Sequence, residues 1–241
     1  MGKLKNYNRY VTGGDYVEKD AAPTSIGNLY RYSDNTVVNI SFDTSKVTST
    51  SYMFQNNKSL TTCNLFDTSN VTSMNYMFDY CSKLIRVPQF DTSNVTSMSS
   101  MFNQCNVLVA VPQFDTSNVT SMSNMCSGCP KLVSVPLLDC GSISGGSSMN
   151  IFGSSSMSNL TYLGGFKNLG KVSNFSKPSY FLKNCKNLTK ESVMNVINNL
   201  YDRATAGYSV VTLPFNSASL ALLSDEEKAI ATNKGFTLAT S

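Results

Sequence analysis

The chain has 241 residues, 41% of them hydrophobic and 14% charged, with a formal net charge of +4. That is apolar enough for a folded core and excludes a disordered chain. Its Lys and Arg residues are scattered, with no basic run or basic helix face, which argues against a nucleic-acid partner. Histidine is absent, which removes the commonest general base, metal ligand and pH switch together.

The chain opens Met1-Gly2-Lys3-Leu4-Lys5-Asn6-Tyr7-Asn8-Arg9-Tyr10, without the apolar stretch of a secretory signal. Asn6 stands where a myristoylation motif needs Ser or Thr. No run approaches the roughly 18 apolar residues of a membrane span, so membrane insertion is not expected. Residues 1–41 are Tyr- and Gly-rich and non-repetitive. They are expected to cap one end of the fold or to attach the chain to another protein.

From Phe42 a repeat sets in. Phe42, Phe66, Phe90 and Phe114 each open Phe-Asp-Thr-Ser, 24 residues apart, and Leu138-Asp139 falls on the same grid. A repeat of this length marks a solenoid, whose units bury their apolar faces on one another. Val71, Met74, Met77, Phe78 and Cys81 follow i, i+3, i+6, i+7, i+10, which predicts a short helix. The Asp-Thr-Ser-Asn before it supplies capping side chains. Leu84-Ile85-Arg86-Val87-Pro88, Leu108 to Pro112 and Leu132 to Pro136 read as short strands ending at a proline. The expected fold class is therefore α/β: a leucine-rich-repeat solenoid with short parallel strands on one face and short helices on the other.

After Leu138 the repeat decays through the Gly- and Ser-rich stretch 141–156, and Phe181 to Leu188 restores it as a sixth turn. Residues 42–188 form the expected solenoid and 189–241 a C-terminal cap. In that cap, Val193, Val196, Ile197 and Leu200 have helical spacing, and 208–215 reads as a strand. Ser224-Asp225-Glu226-Glu227 is a capping box opening a helix that Gly235 closes, and 236–239 reads as a last strand.

The line Phe-Asp-Thr-Ser-Asn-Val-Thr-Ser-Met-x-x-Met-Phe-x-x-Cys-x-x-Leu resembles the repeat of BspA-like leucine-rich-repeat surface proteins. The tail from Leu188 to Ala239 resembles the unit that closes such arrays in gut-bacterial and phage proteins. The resemblance implies a non-enzymatic adhesion or recognition module. With no export signal in the chain, the expected location is a phage virion, as a head or tail fibre or accessory protein, with residues 1–41 meeting other virion proteins. The alternative is a bacterial cell-surface adhesin that binds a host protein or glycan.

Most conspicuous residues have a structural explanation. Cys81, Cys105, Cys129 and Cys185 form a column of core thiols. Cys126 and Cys129 make a single C-x-x-C without a second pair or a His, so neither metal nor cofactor is expected. Asp43, Asp67, Asp91, Asp115 and Asp139 suggest stacked calcium sites, but each precedes a predicted helix and lacks the flanking glycines of such repeats, so capping and turn bonding is expected. The methionine column, Met53 to Met125, reads as core. Asn-x-Ser/Thr triplets such as Asn70-Val71-Thr72 read as caps rather than glycosylation sites. No catalytic residue is expected. Binding is expected on the strand face, at Thr62, Arg86, Ala110 and Ser134 and the neighbouring Asn64, Gln89 and Gln113.

Overall fold

The computed structural model describes residues 23–240. Residues 1–22, the larger part of the expected attachment segment, lie outside the described residues.

Successive 24-residue turns of chain lie parallel, one on the next. Ser25, Ser49, Ser73, Ser97 and Ser121 bridge in an unbroken parallel column. The column reaches back to Thr24, whose carbonyl accepts the Thr48 N–H at 2.8 Å, so stacking begins inside the segment 1–41.

The stretch expected to be helical is not. Among the described residues the α-helices are α1 (Lys190–Asn198), α2 (Ser217–Leu220) and α3 (Asp225–Asn233), all outside the regular repeats. From Met74 to Cys81 the backbone donors alternate. Met74, Tyr76, Phe78 and Tyr80 donate forward to Ser97, Ser99, Met101 and Asn103 of the next coil, at 2.8–3.1 Å. Met77, Asp79 and Cys81 donate back three residues, to Met74, Tyr76 and Phe78. The pattern requires a left-handed backbone at every fourth residue, and Tyr76 and Tyr80 have φ of 57° and 58°. An α-helix cannot hold those angles. A neighbouring coil that accepts every second N–H leaves none of the i to i−4 ladder to be made. Helical apolar spacing thus marks a coil of consecutive turns that buries the same residues: Met74, Met77, Phe78 and Cys81 are fully buried.

The core is built in columns. Phe54, Phe78 and Phe102 stack with centroids 5.1 and 5.8 Å apart and planes 10° from parallel. Buried methionines and cysteines fill the space beside them.

The Asp-Thr-Ser-Asn of the second to fourth copies is a corner in which every side chain has an assigned bond. Asp67 accepts the Ser69 N–H at 2.9 Å and its hydroxyl at 2.7 Å. Thr68 donates forward to the Asp91 carbonyl at 2.8 Å, and Asn70 donates back to the Ser45 carbonyl at 2.7 Å. The same bonds recur at Asp91, Thr92 and Asn94 and at Asp115, Thr116 and Asn118.

Strands are sparse. β1 (Val37–Val38) pairs with β2 (Thr62–Cys63), and β3 (Ser134–Val135) with β5 (Tyr162–Leu163); both pairs are parallel. β4 (Leu138–Asp139) pairs with β6 (Phe166–Lys167). The expected strands at Leu84–Val87 and Leu108–Val111 are absent as regular elements, and proline is the reason. Asn64 and Gly164 stand at the grid position of Pro88, Pro112 and Pro136, and their N–H groups donate to Val38 and Val135. Proline removes that donor, so the rung is lost where it stands.

The expected C-terminal helices and strands are present, but the strand expected over 208–215 begins at Val211 and the short helix α2 lies outside the expectation. Thr189 caps α1, whose Ser192 hydroxyl bonds the Thr161 carbonyl at 3.0 Å and so ties the helix to the preceding coil. β7 (Val211–Phe215) pairs in parallel with β8 (Phe236–Thr240). Ser224 and Glu227 form the capping box of α3, and Lys190 of α1 meets Glu227 at 2.8 Å. Phe215 packs on Phe181 with centroids 5.5 Å apart, which continues the core columns into this unit.

Candidate functional site

Each coil's outward stretch lies between two inward residues, such as Leu84 and Val87. Both intervening side chains leave the core, because two residues and not one separate the buried pair. Ile85 and Arg86, Val109 and Ala110, Val133 and Ser134, and Thr161 and Tyr162 therefore form two adjoining columns. Their register is fixed by Ala110 bridging Ser134 and Ser134 pairing Tyr162. Large apolar groups stand in water here: Ile85 is 56% exposed, Val109 50%, Val133 41% and Tyr162 43%. In the coil before Ile85 the same two positions are the half-buried Thr61 and Thr62, and Val37, paired with Thr62, stands exposed beyond them.

The residues singled out from sequence divide into two groups. Arg86 and Ala110 are exposed, and Thr62 and Ser134 are half-buried within the paired strands. Asn64, Gln89 and Gln113 spend their amides on the stack. Asn64 accepts the Ile40 N–H at 2.6 Å and donates to its carbonyl at 2.9 Å. Gln89 donates to the Gln113 carbonyl, and Gln113 donates to the Leu137 carbonyl at 2.8 Å. Sequence reasoning missed Ile85, Val109 and Val133. The signal was the two-residue gap of Leu-x-x-Val, which turns both middle positions outward.

Charges of opposite sign stand at the two corners beside the strip, though not in every coil: Val107 fills the basic position before Val109, and Asp139 after Val133 pairs with Lys167. Lys58, Lys83 and Lys131 are exposed at the corner before it. Asp67, Asp91 and Asp115 are exposed at the corner after it. Hydrogen bonds from Ser69, Ser93 and Ser117 hold these three carboxyls below the usual carboxylate range.

The cysteines are placed for packing. All seven are buried thiols. Burial pushes Cys63 and Cys129 up to about 12, which suppresses the thiolate that nucleophilic or metal chemistry needs. Among the described residues no group of three or more His, Cys, Asp or Glu is placed to hold a metal ion. Nor is any helix there long and apolar enough to cross a membrane.

Residues 24–136 match the family model described as Mycoplasma protein of unknown function, DUF285. The match begins where the serine column begins and ends at Pro136, after the last regular coil. No curated protein and no solved structure matches the chain.

Proposed function

We propose that the chain is a leucine-rich-repeat type of solenoid without enzymatic activity. It serves as an interaction module, carried on a phage virion as a fibre or accessory component of head or tail. The observation behind this reading is the division of labour within the repeat. The invariant residues are consumed by coil-to-coil bonds and core columns. The outward positions vary and leave a continuous apolar strip in water, the surface character of an interaction site. The virion location is supported by the resemblance of residues 188–239 to the unit closing such arrays in phage proteins. Residues 1–41 would then join the module to other virion proteins. Mass spectrometry of gradient-purified virions tests it: the chain is expected among the structural proteins. Recovery only from bacterial envelope fractions sinks the proposal.

A second reading, a bacterial surface adhesin for a host protein or glycan, is favoured by the match to a family described from Mycoplasma. Binding of the purified chain to immobilised host-matrix proteins or to a glycan array supports that alternative.

A further inference from the structure

We infer that the first three coils carry a glycan-binding site separate from the strip, in which one pyranose ring is seated between Tyr32 and Tyr80. The inference goes beyond the strand-face reading, because these residues stand on a different stretch of each coil.

The argument starts from the backbone. One grid position, held in successive coils by Tyr32, Asn56, Tyr80, Gln104 and Gly128, is left-handed in each, with φ between 58° and 67°. Asparagine and glycine adopt that backbone at little cost, and a bulky side chain does not. The stack itself therefore asks for nothing larger than Asn56 or Gly128. Nor does burial offset the strain at the two tyrosines, since Tyr32 is 68% and Tyr80 45% exposed. Strained aromatic groups that the scaffold does not require point to a function. Their spacing says which. In the adjoining column Tyr52 and Tyr76, one coil apart, stack with centroids 4.8 Å apart and planes 5° from parallel. The levels of Tyr32 and Tyr80 are two coils apart, about 10 Å, which is room for one further ring at the stacking distance from each. Asn56, half-buried, lies between them. Unlike Asn64, Gln89 and Gln113, it makes no coil-to-coil amide bond among the described residues. A pyranose has apolar C–H faces that pack on aromatic rings, and a hydroxyl edge that an amide can both donate to and accept from. The Arg31 guanidinium lies 4.9 Å from the Tyr32 ring centre and 5.4 Å from that of Tyr52, and bonds the Asn28 side chain at 3.2 Å. It is thus held between the two columns, where its other N–H groups can meet sugar hydroxyls or a sugar carboxylate.

The full chain is applied to a glycan array carrying neutral and carboxylated oligosaccharides, and the strongest ligand found is titrated by calorimetry. Tyr32→Asn and Tyr80→Asn should each weaken binding by about tenfold or more. Both place at the site the residue that Asn56 shows the backbone accepts, so melting temperature should be unchanged or raised. Asn56→Tyr fills the space between the two rings with a side chain that the same backbone carries at Tyr32 and Tyr80, and should abolish binding in a folded chain. Tyr162→Ala, on the strip, should leave binding unchanged. A carboxylated ligand should lose more affinity from Arg31→Gln than a neutral one. Absence of any bound glycan on the array overturns the inference, as does a glycan held equally well by Tyr80→Asn and Asn56→Tyr. Loss of binding at Tyr162→Ala alone would move recognition to the strip, which also overturns it and leaves the strand-face reading standing.

Discussion

The Cys81 thiol donates to the Phe54 carbonyl, one coil back, at 3.1 Å. Cys105 and Cys129 repeat the bond to Phe78 and Phe102, at 3.2 and 3.0 Å. The column is thus a set of rungs as well as core packing. Cys105→Ala, which loses both the donor and the buried sulfur, should cost about 1–2 kcal/mol in urea unfolding. Burial and high thiol pKa values also predict chemical inertness. At mildly alkaline pH the native chain should resist a thiol-labelling reagent, and all seven cysteines should react once it is unfolded. Rapid labelling of the folded chain would contradict the buried column.

A pH dependence follows from the aspartate corners. Asp43, Asp67, Asp91 and Asp115 accept hydrogen bonds from the serines two residues on, which lower their pKa values on folding. A carboxyl depressed in the folded state contributes stability above its unfolded value, near 4. That contribution is lost as pH falls through the folded value. Repulsion from the neighbours in the column opposes it at Asp67 and Asp115. Melting temperature should be flat from neutral pH to about 5 and should fall below about 4. Asp91→Asn keeps an acceptor for the Ser93 N–H but cannot titrate, so its acid loss should be shallower than that of the natural chain.

How much of this was legible in the sequence differs by element. The 24-residue grid announced the stacking, and Met74, Met77, Phe78 and Cys81 are buried as their spacing required. Their conformation was not legible. The same inward residues suit a helix and a coil of turns, and the choice is made by N–H groups bonding a neighbouring coil, which no local pattern displays. Tyr76 and Tyr80 at positive φ gave no warning, because glycine or asparagine is the usual sign of that backbone. The C-terminal unit was legible because capping acts locally: Ser224 and Glu227 need only each other. On the candidate face, Asn64, Gln89 and Gln113 looked free because their acceptors lie a full coil away.

Gly164 sets the spacing between coils where the repeat becomes irregular. Its N–H donates to the Val135 carbonyl at 2.9 Å. A Cβ added there would lie 2.4 Å from the Leu137 backbone nitrogen and 2.8 Å from the Pro136 carbonyl carbon. Backbone cannot swing aside as a side chain does, so Gly164→Ala must push two coils apart. A loss of about 1–3 kcal/mol is expected from overpacking of this kind. Gly207→Ala is the control: a Cβ there meets nothing within 4 Å, although φ is +69°. It should cost only the left-handed backbone penalty, about 1 kcal/mol. Equal losses at the two sites in denaturant titrations would show that close approach is not what selects glycine at 164.

Arg203 locks the C-terminal unit to the coils before it. The side chain is fully buried. Its guanidinium donates to the carbonyls of Gly170 at 2.5 Å, Val172 at 2.9 Å, Ser173 at 3.1 Å and Ser209 at 3.0 Å. The Tyr208 ring lies 5.3 Å from its central carbon. The planar fork thus gathers three acceptors from the loop after Leu169 and one from the approach to β7, a set that a lysine ammonium cannot span. Arg203→Met would leave several buried carbonyls without donors, at about 1–3 kcal/mol each where water does not replace them. Arg203→Lys should fall between Met and the natural residue. Hydrogen exchange distinguishes a local clamp from general destabilisation. In either variant, amides of 170–176 and 208–215 should exchange faster while Met74, Phe78 and Met98 stay protected. Uniform acceleration across all coils would instead make Arg203 part of a single cooperative unit spanning the whole stack.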